Sequence, residues 1–159
     1  MEGSNIITVS INKEEVLKEV ARRAYTFGEI KTDDERLRWL LQGVTDMGKG
    51  EHLMNCISNI IENIEYACEP YISECSEITS SIVGNIDIVF SMPKNAKLSS
   101  RFKSRAERLI RGSLIEGCVG AWKGIMLEDG SAEVAASNKM IWDLKVLVNT
   151  RIGVQGVRG

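Results

Sequence analysis

The stretch Ile86-Asp87-Ile88-Val89-Phe90-Ser91-Met92-Pro93, with the long segment from Ser100 to Met126 behind it, decides how this chain folds. Ile86, Ile88 and Phe90 alternate as the buried face of a strand does. Pro93 lacks the amide hydrogen that a ladder needs and stops the strand. After a connector over 93–99, the segment from Ser100 reads as a helix with two unlike halves. The first carries Arg101, Lys103, Arg105, Arg108 and Arg111. The second is small and apolar, with Gly117, Gly120 and Gly124 among Cys118, Ala121, Trp122 and Ile125.

Placed around a helix, Phe102, Ala106, Leu109, Ile110, Ser113, Gly117 and Ala121 share one broad face, and Gly120 and Gly124 fall within it. That face is the expected core. Arg101, Arg105, Arg108 and Lys123 line a separate ridge. Glycine inside a helix costs about 1 kcal/mol relative to alanine. Three glycines on the apolar face therefore imply a close approach, and a tightly crossing helix explains them better than a ligand does.

Working outward, a hairpin is expected from Ser76 to Met92, around Gly84-Asn85. A three-residue loop, Val83-Gly84-Asn85, pairs Ile82 with Ile86, Ser80 with Ile88 and Ile78 with Phe90. That register puts Ile78, Ile82, Ile86, Ile88 and Phe90 on one face, whereas a two-residue loop mixes the faces. An isolated hairpin is marginal. It needs a helix beneath it, a partner subunit, or a third strand such as Ile6–Ile11, which is β-branched.

The remaining helices follow from periodicity and caps. Asn12, with Glu15 three residues on, opens a helix whose inner positions are Val16, Val20, Ala21 and Ala24; Gly28 ends it. Thr32 and Glu35 open a second, with Leu37, Leu40, Leu41, Val44 and Met47 as its stripe. The clearest helix starts at Glu51, where Leu53, Cys56, Ile57, Ile60, Ile61, Ile64 and Cys68 recur at three and four, leaving Asn55, Asn59, Glu62 and Glu65 outward. Pro70 limits it. Glu128-Asp129-Gly130 is a turn. Ser131 caps a last helix with Val134, Ile141, Leu144 and Val148 as core and Trp142 near the seam.

Three glycines at a period of three exclude helix from Arg151 to Gly159. That tail is read either as a frayed end or as an extended arm adding a strand to another chain, with Arg151, Ile152, Val154, Val157 and Arg158 as its contacts. The fold class is thus mainly α, about five helices packed with a small antiparallel hairpin. One domain occupies 1–150, with the hairpin inserted at about 74–93 and an extended C-terminal arm over 151–159.

Composition narrows function by exclusion. At 159 residues the chain suits a single domain with a real core. No apolar run approaches the roughly 20 residues of a membrane helix, and the start of the sequence does not read as a secretory signal, so a cytoplasmic product with no membrane partner is expected. The four cysteines form no CxxC pair; buried reduced thiols are expected rather than disulfides or a metal site. His52 is the sole histidine, and nothing positions it as a metal ligand or as the base of a triad. The sequence holds no dinucleotide fingerprint, phosphate loop, nucleophile elbow or zinc-protease motif. No catalytic residues, metal or cofactor are expected.

Charge is more informative. The net formal charge is −2, yet 13–74 holds 8 basic and 13 acidic residues, a balance of −5, and 94–159 holds 12 basic and 6 acidic, a balance of +6. The two signs either fold onto each other within one molecule, dock front to back against a copy or neighbour, or bind nucleic acid through the basic part. Arg101, Arg105 and Arg108, with Lys97 and Lys103, are the candidate contacts to a protein partner or to the phosphates of passing DNA, without sequence readout. The segment's single aromatic before its second half, Phe102, faces the core, which leaves no platform for base stacking.

Val16-Leu17-Lys18-Glu19-Val20-Ala21 followed by Tyr25-Thr26-Phe27-Gly28 resembles the opening helix of short structural proteins of tailed bacteriophages and prophages, of the head–tail connector or neck adaptor type. Ala121-Trp122 fits the place where those proteins follow a strand and a short loop with a long helix. Arg151 to Arg158 fits the position of their basic tail, with glycines where prolines are expected. The resemblance implies a virion component at the head–tail joint that assembles as a homo-oligomeric ring. It also implies portal, neck or tail proteins as partners and no catalytic residues.

Overall fold

The computed structural model describes residues 4–24, 49–75, 84–93, 101–125 and 128–158. In chain order these form β1 (Ser4–Asn12), α1 (Lys13–Ala24), α2 (Lys49–Ala67), β2 (Ile72–Cys75), β3 (Asn85–Pro93), α3 (Phe102–Ile125) and α4 (Ser131–Arg158). The described chain is mainly helical, with four helices and a small three-stranded antiparallel sheet. The helix expected over 32–47, and the stretch Ser76–Ile82 of the expected hairpin, lie outside the described residues.

The sheet is built on β3, which pairs with β1 on one side and β2 on the other. Alternation does what the sequence indicates: Ile86, Ile88, Phe90 and Met92 are buried while the residues between them are not. β1 runs antiparallel in full register, from Ser4 opposite Pro93 to Asn12 opposite Asn85, and contributes Val9 and Ile11 to the same layer. The third strand is therefore real, and it extends past Ile6–Ile11 at both ends.

On the other side the register differs from the expected one. Ile72, not Ile78, faces Phe90, and Cys75, not Ser80, faces Ile88, with an irregularity between Ile72 and Glu74. Two apolar residues an even spacing apart satisfy the pleat equally well, so alternation alone leaves the choice open. The turn after α2 settles it. Tyr71 N–H bonds to the Cys68 carbonyl at 2.7 Å, and Ser91 N–H to the Tyr71 carbonyl at 2.7 Å, which docks the chain onto β3 directly after the helix. Gly84 holds a left-handed φ of 103° just before β3, and its carbonyl accepts the Lys13 N–H at 3.0 Å, tying the start of α1 to the start of β3.

Asn12 caps α1, its side-chain oxygen taking the Glu15 N–H at 2.9 Å. Val16, Leu17, Val20 and Ala21 face inward. α2 buries Leu53, Ile57, Ile60, Ile61, Ile64 and Cys68 on one side and leaves Asn55, Asn59, Glu62 and Glu65 exposed, as its period demands. These faces converge on α3, which packs against α1, α2, α4 and β1. The Phe102 ring meets Phe90 edge-on, with centroids 6.1 Å apart, so the first turn of α3 is pinned to the middle of the sheet.

α4 runs back along α3, and its start and end both depart from expectation. Asp129, not Ser131, supplies the cap: its carboxylate accepts the Ser131 N–H at 3.0 Å, while the Gly130 carbonyl takes the Val134 N–H. Ile141, Leu144 and Val148 are buried, but Val134 and Trp142 are exposed. The backbone stays helical to Arg158, so the extended arm expected from Arg151, Ile152, Val154, Val157 and Arg158 is instead a continuation of α4. Glycine penalises a helix without forbidding it, and extending an existing helix needs no new nucleus.

Candidate interaction surface

Both halves of α3 have clear neighbours. In the second half three helices meet around Gly117. A side chain there would strike Ile60 of α2, and Ser137 of α4 lies 3.1 Å from where its Cβ would stand. The Ser137 hydroxyl donates to the Ser113 carbonyl at 2.7 Å, and the Ser113 hydroxyl to the Ile110 carbonyl at 2.7 Å, so both buried hydroxyls are satisfied. At Gly120 the backbone of Gly130 and the side chain of Val134 come equally close. Gly117 and Gly120 are thus places where helices touch. Gly124 is not: a Cβ there would meet nothing within 4 Å. Its expected packing role fails because it lies in the exposed last turn of α3. Two contact glycines were missed in the sequence. Gly112 lies against the Met140 sulfur, and Gly130 against the Gly120 backbone.

The basic ridge belongs to the first half. Arg101, Lys103 and Arg108 are exposed and Arg105 is half-buried; Lys97 lies outside the described residues. Lys123, which the helical projection adds to the ridge, is instead paired with Glu133 of α4. Arg111 takes its place. Arg108 and Arg111 line an open groove of about 410 Å³, whose described walls also include Ser104, Glu107, Gly112 and Ile115. Among the described residues, Lys103, Arg105, Arg108 and Arg111 have no carboxylate partner, whereas Arg23 of α1 grips Glu116 through two nitrogens.

The opposite charge collects on α2. Asn55, Asn59, Glu62, Tyr66 and Glu69 recur at four and three, forming one outward stripe that reaches into the turn after the helix. Tyr66 is 82% exposed in the middle of it. Glu62 and Glu69 have no cationic partner among the described residues. Among the described residues, the α2 carboxylates and the α3 basic side chains make no ion pair with each other.

The thiols are placed for packing. Burial pushes Cys68 up to about 12, and burial with the neighbouring Glu65 carboxylate pushes Cys75 up to about 11, which keeps both protonated. Cys118, fully buried, is held well above its ordinary value by its hydrogen bond to Cys56, and that bond lowers Cys56 in turn. Among the described residues no three His, Cys, Asp or Glu side chains gather in a way that could hold a metal. No helix among them is long and apolar enough to cross a membrane. Comparison with protein-family models, curated proteins and solved structures returned no match.

Proposed function

We propose that this chain is a non-catalytic structural assembly protein of a tailed phage or prophage. In this reading it is a head–tail connector or neck adaptor that associates with copies of itself into a ring and contacts portal, neck or tail proteins. It is made in the cytoplasm and resides at the head–tail joint of the virion.

One observation carries the reading: Glu62 on α2 with Glu69 just after it, and Lys103, Arg105, Arg108 and Arg111 on α3, make no ion pair among the described residues. Side chains of one sign left in this way favour a partner surface of the other sign. Two such surfaces on the same chain suit a head-to-tail contact between copies, and a head-to-tail contact that closes gives a ring. The family resemblance of the opening helix and of Ala121-Trp122 points the same way. The test is the mass of the protein in solution by light scattering, alone and with a candidate portal or tail protein. Assembly in either condition supports the reading. A subunit that stays monomeric in both overturns it.

The basic face also favours a second reading, a small DNA-binding or regulatory protein acting through Arg101, Arg105 and Arg108. Duplex binding by a monomer or dimer that weakens steeply with salt, and that is lost on substitution of these arginines, would select it.

A further inference from the structure

We infer that the self-contact is made by the α2 stripe of one copy lying along the α3 groove of the next, with Tyr66 seated between Arg108 and Arg111. This rests on the self-assembly reading above and names the surfaces that would perform it.

The two faces match in pattern as well as in sign. On α2, Asn55, Asn59, Glu62 and Tyr66 follow one another at spacings of four, three and four, and Glu69 comes in the turn after the helix. On α3, Ser104, Arg108, Arg111 and Ile115 do the same at four, three and four. Residues at these spacings form a single ridge on a helix, so each face offers a straight row. Glu62 stands about one turn before Tyr66 on α2, and Glu69 follows in the turn after the helix. The groove carries the cationic Arg108 and Arg111 together with Glu107, and the partly buried apolar Ile115 follows them one turn on.

Tyr66 is the anchor. At 82% exposure it is the most exposed large apolar side chain among the described residues. Its ring gains when an apolar surface and guanidinium groups receive it. The groove's open volume of about 410 Å³ exceeds what one aromatic ring requires. In this inference each copy gives its stripe to one neighbour and receives the stripe of another. The contact propagates until a ring closes.

The inference is tested with two charge-reversed proteins, Arg108→Glu/Arg111→Glu and Glu62→Lys/Glu69→Lys, and with Tyr66→Ala, by light scattering at low salt. Circular dichroism first checks that each is folded. Each double variant alone is expected to lose association and run at the 17.7 kDa of one subunit. Mixed one to one, they are expected to associate again, because every face of one variant, unaltered or reversed, meets a face of the opposite sign on the other. Tyr66→Ala is expected to weaken assembly by about tenfold or more. If the unaltered protein assembles and both double variants still do, the surfaces lie elsewhere and only this inference fails. If the unaltered protein does not self-assemble, the reading beneath it fails as regards self-association. A third arm uses a 30-base-pair duplex as probe. Salt-dependent binding of that duplex by a protein that stays monomeric, abolished in Arg108→Glu/Arg111→Glu, would assign the groove to nucleic acid and overturn the inference.

Discussion

The two halves of α3 use one helix for opposite purposes. From Phe102 to Arg111 only one side is in the core, through Phe102, Ala106 and Ile110, and the rest carries Lys103, Arg105, Arg108 and Arg111, which have no carboxylate partner among the described residues. From Gly112 onward the helix is nearly enclosed, with Ser113, Leu114, Gly117, Cys118, Val119, Gly120 and Trp122 all buried. The difference comes from side-chain size. Where glycine replaces a side chain, α2 and α4 can approach the backbone itself; where arginine stands, no helix can approach without a counter-charge to receive it. The enclosed half holds the subunit together, and the open half is available to a partner.

That division makes substitutions in the two halves behave differently. The largest effect is expected from Gly130→Ala, at the point where the α3–α4 turn crosses Gly120. The new methyl would meet the Gly120 backbone, which cannot rotate out of the way. A loss of about 2–3 kcal/mol is expected, read as a fall in Tm of roughly 5–10 °C for a chain of this size. Ser137→Ala should cost about 1 kcal/mol, because it removes the hydroxyl that joins α4 to the Ser113 carbonyl; urea unfolding measures it.

A smaller effect depends on pH. The Lys123 ammonium holds the Glu133 carboxyl below its ordinary value, and Glu133 holds Lys123 above its own. The carboxylate's contribution is therefore present above the ordinary carboxyl range and is lost as pH falls through the depressed value. The lysine's contribution is present below the ordinary lysine range and is lost as pH rises through the raised value. Glu133→Gln should flatten the acid limb of a plot of Tm against pH and leave the difference largest near neutrality.

Gly124→Ala should do least. With open space around that position and helix propensity in alanine's favour, stability should rise by about 0.5 kcal/mol or less. The same substitution, glycine to alanine, is thus expected to have opposite signs at Gly130 and Gly124. If the two behave alike, the close approach of α3 and α4 is not what the glycines provide.

Much of this was legible in the sequence, and the failures have physical causes. The α2 stripe from Leu53 to Cys68 was clear because its apolar positions repeat over about four turns against a polar opposite side. Ile86, Ile88 and Phe90 declared their face, and Asn12 its cap, from local chemistry alone. The partner of β3 was not legible, since Ile72 and Ile78 fit the pleat equally and the choice depends on how the chain leaves α2. Gly124 shares the angular position of packed residues and differs only in lying beyond the end of the crossing. The helix through Gly153 and Gly156 was missed because glycine content was weighed against a helix starting there, and not against one already running. Lys123 could not be set apart from Arg101, Arg105 and Arg108 in the helical projection, because its pairing depends on α4 bringing Glu133 to it.

The central claim, that the open half of α3 is left for a second copy, is tested most directly by light scattering across a salt series, with Arg108→Glu/Arg111→Glu run beside the unaltered protein. The account predicts a mass above 17.7 kDa at low salt that falls toward one subunit near 1 M, where charges are screened within about 3 Å. It predicts one subunit at every salt for the variant, with the Tm of the two proteins agreeing closely. A single-subunit mass for the unaltered protein at every salt and concentration, or an assembly indifferent to both salt and the two arginines, would contradict it.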